Sequence, residues 1–271
     1  MPRIALLQMT SGIEPQSNAD MIVSGIVSAA AGGAKMLFTP EMSGLLDQDR
    51  QRAARSIFLP QEDPVLHATR RAARQAGIWV ALGSLAVASA EGRRANRTFV
   101  IDPEGEIVCT YDKIHMFDVA LGQGDDWRES AAYAPGDRVV TLRTPIGLLG
   151  LSICYDIRFP ALYDALGRAG CDAIAIPAAF TVPTGRDHWH VLQRARAIEN
   201  SAFVISAAQV GEHEDGRHTY GHSLVIDPWG RVLLDMGGTD AGIGYAEIDL
   251  TLVEEIRRKL PSLANRRDLA N

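Results

Sequence analysis

Two stretches, RTFVIDPEGEIVCTYD (Arg97–Asp112) and HSLVIDPWGRVLLDMG (His222–Gly237), decide how this chain is read. Each is a run of β-formers, a D-P-x-G corner and a second β-run. Proline presets φ at the first corner of a turn, and glycine takes a conformation other residues avoid, so both stretches predict a β-hairpin. A second echo lies upstream, in AGGAKMLFTPE (Ala31–Glu41) and RAGCDAIAIPAA (Arg168–Ala179). Both read as a helix ending on glycine, a short buried strand, and a proline that stops the strand. The chain states one pattern twice.

The pattern orders each half. In the first, RIALLQM is a strand, Gln16–Ala31 a helix, KMLFT a strand, Asp63–Gln75 a helix and IWVALGSL a strand, before the first hairpin. In the second, LLGLSI is a strand, Pro160–Arg168 a helix, DAIAI a strand, His188–Glu199 a helix and AFVISAAQ a strand, before the second hairpin. Strands alternating with helices predict parallel pairing, and the hairpins add antiparallel strands. The short apolar runs lack alternation, as strands buried on both faces do. The expected fold is α/β, a four-layer α-β-β-α sandwich with pseudo-twofold halves. No linker-like composition marks a boundary near Pro135–Gly136, so residues 1–271 are read as a single domain, with a C-terminal helix and tail from about 250 to 271.

Composition narrows the function. The chain has 271 residues, 46 % apolar and 22 % charged, enough for a sizeable core. A formal charge of −6 argues against a broad electrostatic hold on nucleic acid. No apolar run approaches the length of a membrane helix, and MPRIALLQM lacks the features of a signal peptide. Three cysteines, Cys109, Cys154 and Cys171, make an odd count without a C-x-x-C spacing, so reduced thiols and a cytoplasmic location are expected.

In open α/β sheets, reactive groups collect at the carboxyl ends of strands. Glu41 follows MLFTP, Cys154 follows GLLGLSI, and Lys113 follows the second arm of the first hairpin. Singly, each has a plain reading: a small buried hydrophobe or a solvated charge. Together they make a nucleophile with its helpers. A free thiol is mostly protonated at neutral pH. A carboxylate can take its proton during attack, and an ammonium can stabilise the thiolate or an oxyanion. Attack on an amide carbon gives a thioester and frees an amine; water activated by the carboxylate then hydrolyses the thioester.

The blocks FTPE, YDKIHMFD and CYDIRFP are similar to the Glu, Lys and Cys blocks of the nitrilase (carbon–nitrogen hydrolase) superfamily, in the same order. HWHVLQRARAIEN and YGHSLVIDPWG extend the resemblance over nearly the whole chain. It implies the sandwich fold, no cofactor, and roles for Glu41 as base, Lys113 as acid and oxyanion donor, and Cys154 as nucleophile. It further implies that Glu129, in DDWRES, positions Lys113 or substrate, and that Tyr155 contributes its backbone N–H. Arg158 is expected to brace the elbow through a carboxylate. Loops Thr181–His188 and Gly211–Tyr220 are expected to carry specificity, with Arg128 and Arg186 as candidates to grip a substrate carboxylate.

The histidines of HWH (His188–His190) and HTYGH (His218–His222) have ligand-like spacings, but His188 and His190 point to different faces of a helix and no carboxylate completes a set. No metal is expected. AAQVGEH with YGHSLVIDPWG most resembles the amidases of the superfamily that act on deaminated glutathione. Amidases of alpha-ketoglutaramate, nitrilases and a non-catalytic interaction protein of the same fold are the alternatives. The expected partner is a small-molecule amide, without nucleic acid or membrane, and the resemblance implies a homo-oligomer, most simply a dimer.

Overall fold

A computed structural model describes residues 1–88, 92–120 and 126–267 of the chain; the last four residues of the expected tail lie outside them. The strands of the first half are β1 (Arg3–Gln8), β2 (Met36–Phe38), β3 (Trp79–Ala88), β4 (Arg94–Ile101) and β5 (Ile107–Asp112). A short ribbon follows, β6 (Asp118–Ala120) with β7 (Asp126–Arg128). The second half has β8 (Thr141–Thr144), β9 (Gly147–Leu151), β10 (Ala173–Ala175) and β11 (Phe203–Ser206). A second ribbon pairs β12 (Val210–Glu212) with β13 (His218–Tyr220), before β14 (Leu224–Ile226), β15 (Val232–Asp235) and β16 (Gly242–Glu247). The helices are α1 (Pro15–Ala31), the single turn α2 (Arg50–Ala53), α3 (Pro64–Ala76), α4 (Pro160–Arg168), α5 (Val182–Asn200) and α6 (Leu250–Lys259).

Two six-stranded sheets result, ordered β16-β1-β2-β3-β4-β5 and β8-β9-β10-β11-β14-β15. In each, three parallel strands carry an antiparallel strand on one side and the D-P-x-G hairpin on the other. The two-residue period of a strand explains the layers. Ile4 and Leu6 of β1 face Leu149 and Leu151 of the second sheet in one apolar cluster. Ala5 and Leu7 face the other way, with Ile22 and Ile26 of α1 and Leu66 and Ala72 of α3. Leu162, Leu166 and Trp189 of α4 and α5 cover the far side of the second sheet. The expected α-β-β-α sandwich is the observed one.

The two hairpins agree in detail. Asp102 Oδ1 accepts from the N–H groups of Glu104 and Glu106, and Asp227 Oδ1 from those of Trp229 and Arg231. Gly105 and Gly230 have φ of 78° and 85°, the left-handed turn position that glycine fills without a Cβ penalty. Register shifts by one residue just before each D-P pair.

Three departures from the sequence reading bear on the site. The antiparallel edge of the first sheet is β16, from the end of the chain, so the repeat is closed by a strand borrowed across it. Helix α5 begins at Val182, not His188, so the expected Thr181–His188 loop is mostly helix. Pro183 in its first turn is compatible with a helix start, and Gly185 is there for clearance: a Cβ on it would come within 2.2 Å of the Tyr220 ring. The expected Gly211–Tyr220 loop is the ribbon of β12 and β13.

Candidate active site

The chain leaves β9 through Ile153 and turns sharply. Cys154 has φ 45°, a left-handed conformation that costs a side-chain-bearing residue on the order of 1–3 kcal/mol unless its surroundings impose it. Two contacts impose it. The Cys154 N–H donates to Pro177 O at 2.9 Å, and a helical turn over Cys154–Arg158 follows. Asp156, wholly buried, anchors that turn: its carboxylate accepts from the Ile153 N–H (2.9 Å), the Tyr111 hydroxyl (2.7 Å), the His115 N–H (3.0 Å) and His115 Nδ1 (2.7 Å). One carboxylate thus fastens the cysteine elbow to the segment on either side of Lys113.

Glu41 enters from the other sheet, three residues past β2. Its Oε1 accepts from Lys113 Nζ (2.8 Å) and Asn96 Nδ2 (2.9 Å), and its Oε2 from the Ala179 N–H (3.0 Å). Lys113 Nζ also meets Glu129 Oε2 and Oε1 at 2.9 and 3.2 Å. Glu129 is held in turn by the Phe117 N–H (2.7 Å) and Asn96 Nδ2 (3.2 Å). Glu41, Lys113 and Cys154 are 4 %, 2 % and 7 % exposed, so this is a desolvated ion network with one accessible edge.

Burial pushes the Cys154 thiol well up, and the neighbouring Glu41 carboxylate adds to that by repelling a thiolate and accepting the thiol hydrogen; Lys113 and the Ala179 N–H act the other way and lose. Burial alone opposes a charged Lys113, but Glu129, Glu41 and Cys154 outweigh it and hold the ammonium well above its ordinary range. The resting groups are therefore a neutral thiol and a firmly protonated lysine.

A cavity of about 150 Å³ opens onto these groups. Of the residues singled out in the sequence, Glu41, Lys113, Glu129, Cys154, Tyr155 and Arg128 line it. Arg186 does not: the earlier start of α5 puts it on an exposed face of that helix. Arg158 was expected to brace the elbow through a carboxylate, and that brace is Asp156 instead. Arg158 lies in the cavity wall, 3.1 Å from His188 Nδ1 and within 6 Å of the Tyr155 and Phe180 ring centres. The sequence reading missed Asn96, the Ala179 N–H and Arg217. Asn96, a wholly buried amide in a β-run, was the one legible signal.

The wall is cationic. Arg50, Arg94, Arg128, Arg158, Arg217 and Lys113 face it against Glu41, Asp47 and Glu129 among the described residues. Arg217 lies 4.6 Å from the Trp127 ring centre, pairs with Asp215 at 3.0 Å, and keeps a buried Nε without a partner among the described residues. The histidine pairs split up: His188 meets Arg158, whereas His190 and His222 both meet Asp235, the carboxylate the sequence reading lacked.

The sequence pattern of the family described as "Carbon-nitrogen hydrolase" matches residues 3–258. The chain belongs to the carbon–nitrogen hydrolase family. A deaminated glutathione amidase from Synechocystis is 38 % identical over 264 residues, covering 97 % of each chain. The NitFhit protein of C. elegans superposes with a TM-score of 0.90 at 34 % identity, covering 98 % of this chain and 65 % of that one. An amidase from Nesterenkonia sp. AN1, in which acrylamide has added to the active site cysteine, gives 0.78 at 27 % identity, covering 96 % and 98 %. As a carbon–nitrogen hydrolase with amidase relatives, the protein is an enzyme of amide C–N hydrolysis. Among its described residues, no helix is long and apolar enough to cross a membrane.

Proposed function

We propose that this carbon–nitrogen hydrolase cleaves deaminated glutathione to alpha-ketoglutarate and cysteinylglycine, with Cys154 as nucleophile. The observation that carries the substrate is the cationic wall around a buried thiol in a protein of net charge −6. Deaminated glutathione has two carboxylates, one at each end of the scissile amide, whereas alpha-ketoglutaramate has one. Arg217, Arg128 and Arg158 lie along that wall to meet them. The relatives that act on deaminated glutathione by name support the same choice.

In this reading Glu41 takes the thiol proton as sulfur attacks the amide carbon, which is why the thiol need not ionise beforehand. The Lys113 ammonium and the Tyr155 N–H, in the first turn of the elbow, stabilise the oxyanion. Glu41, now carrying the thiol proton, passes it to the departing nitrogen. The C–N bond breaks, and a thioester remains on Cys154. Glu41 then deprotonates water for hydrolysis. Glu129 positions Lys113, and Asn96 Nδ2 bridges the two carboxylates. No step calls for a metal or cofactor. We read the enzyme as cytoplasmic and as a homo-oligomer; the exposed Val191 of α5 and Trp229 and Leu233 of the second hairpin support self-association.

Competition of deaminated glutathione with alpha-ketoglutaramate in one reaction tests the substrate. The larger kcat/KM is expected for deaminated glutathione by tenfold or more, since one charge-assisted hydrogen bond is worth about 1.5–3 kcal/mol and tenfold is about 1.4. Preferential consumption of alpha-ketoglutaramate gives the omega-amidase reading instead, and turnover of neither gives another amide.

A further inference from the structure

His190, His222 and Asp235 lie outside the catalytic cavity and have no part in the chemistry above. They come from α5, from the segment between β13 and β14, and from the end of β15. His190 Nε2 is 3.0 Å from Asp235 Oδ2, and His222 Nδ1 is 2.8 Å from Asp235 Oδ1; taking one ligand atom from each residue, the three lie within 4.8 Å of one another. We propose that this trio is a binding site for a divalent transition metal, with zinc the best fit.

The donor chemistry is that of a three-ligand zinc site. Zinc binds imidazole nitrogen and carboxylate oxygen at about 2.0–2.2 Å, so tetrahedral neighbours stand about 3.3 Å apart. Ligand atoms already within 4.8 Å of one another reach that spacing by closing on a shared ion. The side chains are 24–35 % exposed, which leaves the remaining coordination position to water. Each ring now turns a nitrogen toward the carboxylate. In the metal-bound form that nitrogen presents its lone pair, and the hydrogen sits on the other ring nitrogen, Nδ1 of His190 and Nε2 of His222. Neutral imidazoles thus bind without losing a proton.

The frame around the trio is unusually fixed for a surface. His222 has φ 54°, one of four non-glycine residues held at positive φ among the described residues; Met42 and Cys154 at the catalytic site are two of the others. Such conformations persist where neighbours over-determine them. Here the His222 N–H donates to Gly237 O (2.7 Å) and its carbonyl accepts from Trp189 Nε1 (2.8 Å). The Tyr220 ring stacks on the imidazole at 4.5 Å. Asp235 Oδ1 also accepts from the Gly237 N–H (2.9 Å), an outer contact that fixes a ligand's direction.

Zinc chloride titrated calorimetrically into chelator-stripped protein tests the site, with His190→Gln and Asp235→Asn as variants on different elements. One zinc per chain is expected, weakened about tenfold or more in each variant. If one variant fails to fold, the other still reports. Cobalt absorption separates this site from the thiols, since nitrogen and oxygen ligation lacks a thiolate charge-transfer band. Equal affinity in wild type and a folded variant overturns the proposal, as does a thiolate band accounting for the bound metal or no saturation below millimolar zinc.

Discussion

Met9 and Cys154 stand at the same step of the two halves. In the first, Leu6 pairs with Phe38 two residues before Pro40; in the second, Leu151 pairs with Ala175 two residues before Pro177. Counting on, Met9 matches Cys154 and Glu41 matches Ala178. Each half therefore has a thiol-type corner and a carboxylate-type corner, and each fills only one of them with a reactive side chain. Glu41 and Lys113 come from the first half and Cys154 from the second, so the proposed reaction centre is assembled only where the sheets are packed. Glu41 Oε2 bonded to the Ala179 N–H, and Gln209 Nε2 bonded to Glu41 O at 3.0 Å, are contacts across that seam.

The sharpest break of this comparison substitutes the two matched corners. Cys154→Ala is expected to abolish hydrolysis with the fold kept. Met9→Leu, a nearly volume-conserving change, should keep most activity and cost less than about 1.5 kcal/mol in denaturant unfolding. Comparable losses of activity in both would remove the functional asymmetry. Glu41→Gln and Lys113→Met should each lower kcat by about a thousandfold. Groups acting as one unit lose most of the rate when any member goes, so the double variant should be little slower than either single one. Multiplying losses in steady-state kinetics would separate the two residues.

Asp156→Asn tests the fastening of elbow to lysine segment. An amide keeps the shape but turns N–H groups toward donors, so unfolding free energy should fall by about 2–3 kcal/mol, with kcat reduced and KM little changed. An unchanged unfolding midpoint would deny Asp156 that role. The smallest signal is spectroscopic. Burial and Glu41 raise the Cys154 thiol, so its neutral form is favoured as pH rises through the ordinary thiol range. The thiolate absorbance difference between wild type and Cys154→Ala should be absent at neutral pH and emerge only above that range. Thiolate absorbance at neutral pH would mean that Lys113, not Glu41, dominates the resting thiol.

The layers and the strand-end residues were legible because they are local: a D-P-x-G corner, a strand-stopping proline and a glycine cap each act within a few residues. β16 was not, because its pairing with β1 depends on residues at opposite ends of the chain. The start of α5 was hidden by Gly185, whose reason is the Tyr220 ring packed against it. Glu41, Lys113, Cys154 and Glu129 stood out as charges or thiols in ordered blocks. Arg217, in a polar stretch, and Asp235, at the end of a strand, did not, since either reads as a solvated charge until tertiary contacts show what faces it. Arg186 was misjudged for the same reason: its face of the helix, not its charge, decides what it can reach.

In the proposed mechanism a thioester forms on Cys154 under the joint control of Glu41 and Lys113. Rapid acid quench of the wild-type enzyme turning over deaminated glutathione, followed by intact-mass and peptide analysis, tests it directly. A mass gain equal to the ketoglutaryl group is expected on the peptide holding Cys154, with cysteinylglycine released in the same burst and no such adduct in Glu41→Gln or Lys113→Met. Acylation of another residue, or full turnover with no covalent species in a quench fast enough to catch one, would contradict it.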